Sequence, residues 1–297
     1  MCTKVWSIDE RYSGNYLDLN EISPIKTEDL MNEKHEANRK EWNRGAAWWK
    51  NVRDEDGLWK IIPEKPDLAF AGSAYQFIQE YIKPFFGKKA CVIGSGDNYA
   101  VFALASMGMK VTSLDISEAQ LSNAVDRAKE LGLKIDFIRS DASEMKGLSD
   151  NAFDLVFSSN GFYGWISDLN ALFNEVARIL KKNGYYISYD VHPFQRPWIN
   201  DTGKLELGKP YSDTRPLTED PETDPKTFEF QWTLADILNP PAKSGLKLLR
   251  IGEDSAKDSR FWQDYSYLTG TDNRLLDWKY NPRAAFPVWL TIAVQKC

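Results

Sequence analysis

Between residues 88 and 192, short apolar runs alternate with segments of helical periodicity, and that alternation restricts the chain to a parallel sheet with crossover helices. Ala90-Cys91-Val92-Ile93 reads as a buried strand running into glycines, and Lys110–Asp115, Ile135–Ile138, Phe153–Phe157 and Tyr185–Val191 read as four more. Tyr99–Met107 is apolar on most sides and stops at Gly108, as expected of a helix lying on the sheet. Ser117-Glu118-Ala119-Gln120 matches a capping box, and Leu121, Ala124, Val125, Ala128 and Leu131 follow at helical spacing before Gly132. Leu169, Leu172, Phe173, Val176 and Leu180 form another stripe, closed by Asn183-Gly184, and His192-Pro193 stops the fifth strand.

The alternation breaks after that. Residues 195–230 are rich in Pro, Asp, Glu and Thr and read as an insertion after the fifth strand. Gln231–Gly245 carries a short helix cut by Pro240-Pro241, and Leu246–Ile251 and Pro287–Val294 read as further strands. At the other end, Thr27–Asn51 is expected to be helical, with Leu30, Trp42, Ala46 and Trp49 on one side and His35 on an inert charged surface.

Charge narrows the partners. With 37 basic and 43 acidic residues the chain has a formal charge of −6 and no long basic run, which argues against nucleic acid. No run of about 18 apolar residues is long enough for a membrane span, and the first residues lack the apolar core of a signal peptide. Cys2, Cys91 and Cys297 form no metal-ligand spacing, so no metal is expected, and they suit reduced thiols in a cytoplasmic setting.

Gly94-x-Gly96 follows a strand and precedes a helix, where bare backbone can approach a ligand and helix N–H groups can face negative charge. Asp115 ends the next strand, about 20 residues on, where a carboxylate can accept from both hydroxyls of a ribose. The competing reading is a tight turn, with Asp115 only capping the helix that starts at Ser117. A dinucleotide and a methyl-donor nucleotide share this first half. Tyr99 stands where the dinucleotide pattern needs its third glycine, and Ser140-Asp141-Ala142 offers an acceptor for an adenine amino group. Both features favour S-adenosylmethionine over NAD.

Taken in order, Val92-Ile93-Gly94-Ser95-Gly96, Leu114-Asp115-Ile116-Ser117, Ser140-Asp141-Ala142, Phe153–Ser158 and Glu175–Gly184 resemble the class I S-adenosylmethionine-dependent methyltransferase family. Asn38-Arg39-Lys40-Glu41-Trp42 and His192-Pro193-Phe194 resemble its bacterial small-molecule subgroup. The resemblance implies an α/β, Rossmann-like, seven-stranded and mostly parallel sheet with an antiparallel last strand, to which Pro287–Val294 is fitted. The residues themselves suggest an N-terminal helical lid or extension over 1–87 and a catalytic domain over 88–297, in which the insertion at 195–230, with Trp198 and Tyr211, can form part of a substrate cap. By the resemblance, S-adenosylmethionine would be held by Gly94, Ser95, Gly96, Asn98, Asp115, Ile116, Asp141, Ala142, Ser158 and Asn160, with Asp115 on the ribose, Asp141 on the adenine and the loop from Ser158 to Gly161 on the methionine portion. Asn98 departs from the family's third glycine. As a residue tolerant of left-handed backbone it can keep the turn, and its side chain can bond the ligand or cap the helix.

Methyl transfer from a sulfonium needs the nucleophile held in line at near-attack distance, and a base only where a proton must leave. His192, at a strand's carboxyl end, is one candidate base, with a turn histidine bonded to backbone as the plainer reading. Tyr163, after the fourth strand, is the other candidate catalytic residue. Trp48, Trp49, Trp165 and Trp198 are candidates for the substrate pocket, with core packing as the alternative. The expected activity is O-, N- or S-methylation of a small-molecule acceptor. The alternatives are a non-catalytic cofactor-binding protein of the same fold and an NAD-dependent oxidoreductase.

Overall fold

The computed structural model describes residues 33–199, 203–218, 227–263 and 270–297. Seven strands, β1 (Lys89–Ile93), β2 (Lys110–Asp115), β3 (Ile135–Arg139), β4 (Phe153–Ser159), β5 (Leu180–Val191), β6 (Leu246–Asp254) and β7 (Trp289–Lys296), form one sheet in the order β3-β2-β1-β4-β5-β7-β6. Strands β1 to β5 pair in parallel, and β7 runs antiparallel to both β5 and β6. The last strand is therefore the antiparallel one, as the resemblance implied.

Six α-helices complete the described fold: α1 (Glu33–Asp56), α2 (Ala74–Ile82), α3 (Tyr99–Ser106), α4 (Glu118–Glu130), α5 (Leu169–Ile179) and α6 (Leu234–Lys243). Side chains alternate across the pleated sheet. Ala90 and Val92 join α2, α3 and α4 in one core, while Cys91 and Ile93 join α5 and α6 in the other. Helix α2 belongs to the core around the sheet, through Phe77, Ile78 and Ile82. Its buried Ala74, Phe77, Ile78 and Ile82 lie at helical spacing, a pattern the sequence carries in a segment outside the strand–helix alternation. Helix α1 is expected from Thr27 to Asn51; it runs on to Asp56, and residues 27–32 lie outside the described residues. It is long but polar, and no described helix is long and apolar enough to cross a membrane.

Two boundaries differ from expectation. Asn183-Gly184 does not close α5: the helix ends at Ile179, and Leu180 already pairs with Phe153 in β5. Asn183 takes φ +63° beside an irregularity in the β4–β5 register, so the pair bends a strand within its length. Pro240 and Pro241 lie inside α6 rather than cutting it. Both rings are buried and fit helical φ. Thr233 and Asp236 form a capping box at the other end, so the burial and the cap offset the two missing N–H bonds.

The chain runs outward from β1 to β2 and β3, then returns to β4 on the other side of β1. That reversal opens a crevice at the carboxyl ends of β1 and β4, the place where open α/β sheets bind ligands.

Candidate active site

A cavity of about 610 Å³ occupies this crevice, a size suited to a cofactor or small molecule. Its floor begins with the loop after β1. Gly94 has φ +57° and Gly96 φ +46°, which a side chain would strain. A Cβ on Gly94 would also fall 2.2 Å from Phe162 Cδ2, so glycine is needed for space as well as for conformation. Ser95 ties the loop to β2, with its N–H donating to Leu114 O at 3.1 Å and its hydroxyl 2.7 Å from that of Ser113.

Asn98 does not use a left-handed backbone. Its φ is −65° with ψ 139°, and it is the N-cap of α3. Its Oδ1 accepts from Ala100 N–H at 2.9 Å, and its Nδ2 donates to Ser159 Oγ at 2.7 Å.

Asp115 lines the cavity at the end of β2. Its Oδ2 accepts from Gly96 N–H and its Oδ1 from Ser117 N–H, both at 2.7 Å. Burial pushes its carboxyl up to about 6 despite these bonds. The carboxylate thus stiffens the glycine loop and braces Ser117, the residue that caps α4, while keeping further lone pairs for a ligand. Ile116 and Ala142 also line the wall.

Asp141 is buried at the cavity edge and engages a residue that sequence reasoning set aside. His35 Nδ1 lies 2.6 Å from its Oδ2, and its Oδ1 accepts from Ser143 N–H at 2.8 Å and from Ser143 Oγ at 2.7 Å. Burial works against the carboxyl's charge, but the bonds from His35 and Ser143 outweigh it and hold the group below its ordinary value. His35 is 2% exposed, not a surface histidine. Its position on an otherwise charged helix concealed that it faces the sheet.

The end of β4 separates two serines. Ser159 lines the cavity, whereas Ser158 points the other way, 2.6 Å from the hydroxyl of Tyr186. Strand alternation decides this, and it moves the expected contact by one residue. Asn160 follows with φ +60° and lines the cavity. The Asp190 carboxylate holds this loop, accepting from Gly161 N–H at 3.1 Å and Tyr163 N–H at 3.0 Å.

Tyr163 lies beneath that loop and not on the cavity wall. Its hydroxyl is 2.7 Å from Ser188 Oγ and 2.9 Å from Tyr186 Oη, and burial raises it well above the ordinary phenol range. His192 is likewise away from the wall. Its Nδ1 accepts from Phe194 N–H at 3.1 Å, its Nε2 lies 2.9 Å from Glu253 Oε1, and burial lowers its imidazole below the ordinary value. It is the turn histidine of the plainer reading.

Of the four tryptophans, Trp49 and Trp165 line the cavity. Trp48 packs on Trp49 with ring centroids 5.1 Å apart, and Trp198 packs on Phe286 at 5.4 Å. Among the described residues, none from the insertion at 195–230 lines the cavity; Asp67–Gly72 and Ser255–Asp258 do so instead.

Helix α1 closes the top. Trp42 meets Trp165 edge-on at 5.1 Å, and Asn38 brackets the backbone of Phe228, donating to its O at 2.9 Å and accepting from its N–H at 2.8 Å. Asn43 Oδ1 accepts from Ser117 Oγ at 2.6 Å. Arg53 forms an ion pair with Asp97, Nε to Oδ1 at 2.6 Å, and lies 5.0 Å from the centre of the Tyr99 ring, and Arg127 pairs with the other Asp97 oxygen. This Arg-Asp-Arg set, with Asp97 and Arg127 buried and Arg53 half-buried, is spread over three parts of the chain and has no spacing signature in the sequence.

A crevice at the sheet's switch point, a glycine loop with an acidic residue on the next strand, and a second acidic residue after the third define a nucleotide-type site on a methyltransferase fold. Residues 91–188 match the methyltransferase domain family. The uncharacterized methyltransferase YbaJ of Bacillus subtilis is 30% identical over 71% of this chain and 89% of its own length. The chain belongs to the class I S-adenosylmethionine-dependent methyltransferase family. A ubiquinone biosynthesis O-methyltransferase of Stutzerimonas stutzeri is 32% identical over 37% of this chain, which spans 43% of that relative. An S-adenosylmethionine-dependent methyltransferase structure from Mesorhizobium loti shares the fold, with a TM-score of 0.58, 19% identity, and coverage of 76% of this chain and 99% of its own.

Proposed function

We propose that this methyltransferase acts on a small organic acceptor, transferring a methyl group to oxygen, nitrogen or sulfur. The observation that carries the reading is the division of a single cavity along the sheet. Over β3, β2 and β1 lie Asp141, Asp115 and the Gly94–Asn98 loop, a set with the acceptors, bare backbone and close fit that an adenosyl group needs. Over β5 and β7 lie Tyr189 and Trp289, with Phe70 and Phe261 beside them, a mostly aromatic space suited to a flat or apolar molecule. Asn98, Ser159 and Asn160 lie where the halves meet.

When bound, S-adenosylmethionine supplies an electrophilic methyl on a sulfonium. The chain's residues hold and orient: Asp115 accepts from the ribose, Asp141 from the base, and Arg53 offers a cation near the glycine loop for a carboxylate. Helix α1 and its tryptophans exclude water. Tyr189, pushed up to about 12 by burial, stays neutral and serves as a hydrogen-bonding wall rather than a base. Tyr163 and His192 receive no role at the reacting atoms. The partial likeness to a relative named for O-methylation in ubiquinone biosynthesis supports a small acceptor.

The test is to incubate the protein with methyl-labelled S-adenosylmethionine and a fractionated cell extract. Label is expected in a low-mass product with matching release of S-adenosylhomocysteine. Label confined to protein or nucleic acid would overturn the small-acceptor reading.

A further inference from the structure

His35 lies in the first turn of α1, and its two ring nitrogens bridge separate parts of the site. Nε2 accepts from the backbone N–H of Ser167 at 2.9 Å. A backbone N–H can only donate, so Nε2 carries no proton, the imidazole is neutral, and Nδ1 bears the hydrogen. Nδ1–H therefore donates to Asp141 Oδ2 across 2.6 Å. Ser143 supplies two further donors to Oδ1. A carboxylate has about four acceptor sites, so three protein donors leave one for a ligand, on the oxygen that His35 holds. Ser167 directly precedes Asp168, the N-cap of α5, and follows the cavity wall at Trp165 and Ile166. One imidazole thus ties α1, the loop after β3 and the loop before α5 together.

We infer that His35 is a positioning residue for recognition of the nucleobase: it orients the Asp141 carboxylate so that its remaining acceptor site meets the adenine amino group, and it thereby couples the seating of α1 to the presence of adenine. The inference rests on the reading that Asp141 takes that amino group. A neutral imidazole suits the task, because it donates toward Asp141 without cancelling the negative charge that attracts the amino hydrogens. Its buried ring also allows few alternative orientations.

The chain contains only two histidines, which makes the inference directly observable. In protein labelled with ¹⁵N at histidine, His35 is expected as the Nδ1–H tautomer and His192, whose Nδ1 accepts from Phe194, as the Nε2–H tautomer. Saturation with S-adenosylhomocysteine is expected to shift the His35 Nδ1 resonance, and saturation with the analogue carrying purine in place of adenine to leave it near its ligand-free position. An Nε2–H tautomer at His35, or the same response to both ligands, overturns the proposal. This measurement uses the unaltered protein and does not depend on a variant folding.

Calorimetry separates the proposal from the reading beneath it. The unaltered protein is expected to prefer the adenine ligand over the purine analogue by about 10- to 100-fold, the range of a charge-assisted bond. In His35→Ala the preference is expected to fall below about threefold, and His35→Gln, which keeps a donor and an acceptor, is expected to recover part of it. Equal affinities in the unaltered protein would remove Asp141 as the reader of the amino group. A preference that persists undiminished in His35→Ala would remove only the role of His35.

Discussion

Asn98 Nδ2 donates to Ser159 Oγ at 2.7 Å, fastening the loop after β1 to the end of β4 across the mouth of the crevice. Because the same side chain caps α3 through Oδ1, Asn98→Ala removes both contacts. The variant is expected to lose about 1–2 kcal/mol of stability, the size of a lost cap plus one hydrogen bond. Urea denaturation checks this; an unchanged midpoint would show that the bridge contributes nothing.

Asp115 gives the site a pH dependence. Its folded value, about 6, lies above the ordinary carboxyl range, so between about pH 4 and 6 the folded state binds the proton more readily than the unfolded chain. Its contribution to stability is fully present below the unfolded value and is lost as pH rises through about 6. Ligand binding moves the other way. Ribose hydroxyls donate to the ionised carboxylate, so affinity for S-adenosylmethionine is expected to weaken as pH falls below 6, by up to about tenfold per unit. Asp115→Asn should flatten that slope, and Asp115→Ala should weaken binding by about 10- to 100-fold at pH 7.5. Calorimetric titration at several pH values measures both; an Ala variant of unchanged affinity would reduce Asp115 to a brace between the glycine loop and Ser117.

Tyr163 belongs to a buried hydroxyl cluster with Tyr186, Ser188 and Ser158. Tyr163→Phe leaves those partners short of a bond and is expected to cost about 1–3 kcal/mol of stability. Cofactor affinity in the same variant should stay within threefold. A large loss of turnover in a well-folded Tyr163→Phe would restore this phenol to the chemistry.

His192 provides a matching control. His192→Gln keeps a polar group at the turn and is expected to leave kcat and KM within about threefold. A bell-shaped pH profile losing one limb in that variant would identify His192 as a base after all.

Asp97 is 1% exposed between Arg53 and Arg127. Asp97→Ala leaves buried guanidinium charge without its shared carboxylate and is expected to destabilise the protein by about 3 kcal/mol or more. Differential scanning calorimetry would show it, with a smaller loss expected in Asp97→Asn.

Much of the architecture was legible because apolar periodicity is a local property. The five parallel strands, the cap at Ser117 and the final strand follow from side-chain alternation and backbone chemistry within a few residues. Asp115, Gly94, Gly96 and Asp141 were legible for the same reason, since their places at strand ends mark them. The tertiary structure decided which side chains face one another. Ser158 and Ser159 are alike in sequence, but strand register turns Ser159 toward the cavity and Ser158 into the core. His35 and His192 look alike as lone histidines near charged or turn residues. Helix α1 brings the first against Asp141, 106 positions away, while a hydrogen-bonded turn draws the second from the wall.

Asn98 joins the two levels. Its departure from glycine was visible in the sequence, and left-handed backbone was the local explanation that residue type suggested. As the N-cap of α3 it has an ordinary extended backbone, and its side chain finds a partner in Ser159 at the end of β4 instead. The sequence by itself determined the five parallel strands and the glycine loop with its acidic partners, because those depend on local pattern, and resemblance to a family supplied the antiparallel end of the sheet. Which residues close the cavity and which are buried away from it was settled only by contacts between segments far apart in the chain, where no local pattern records the partner.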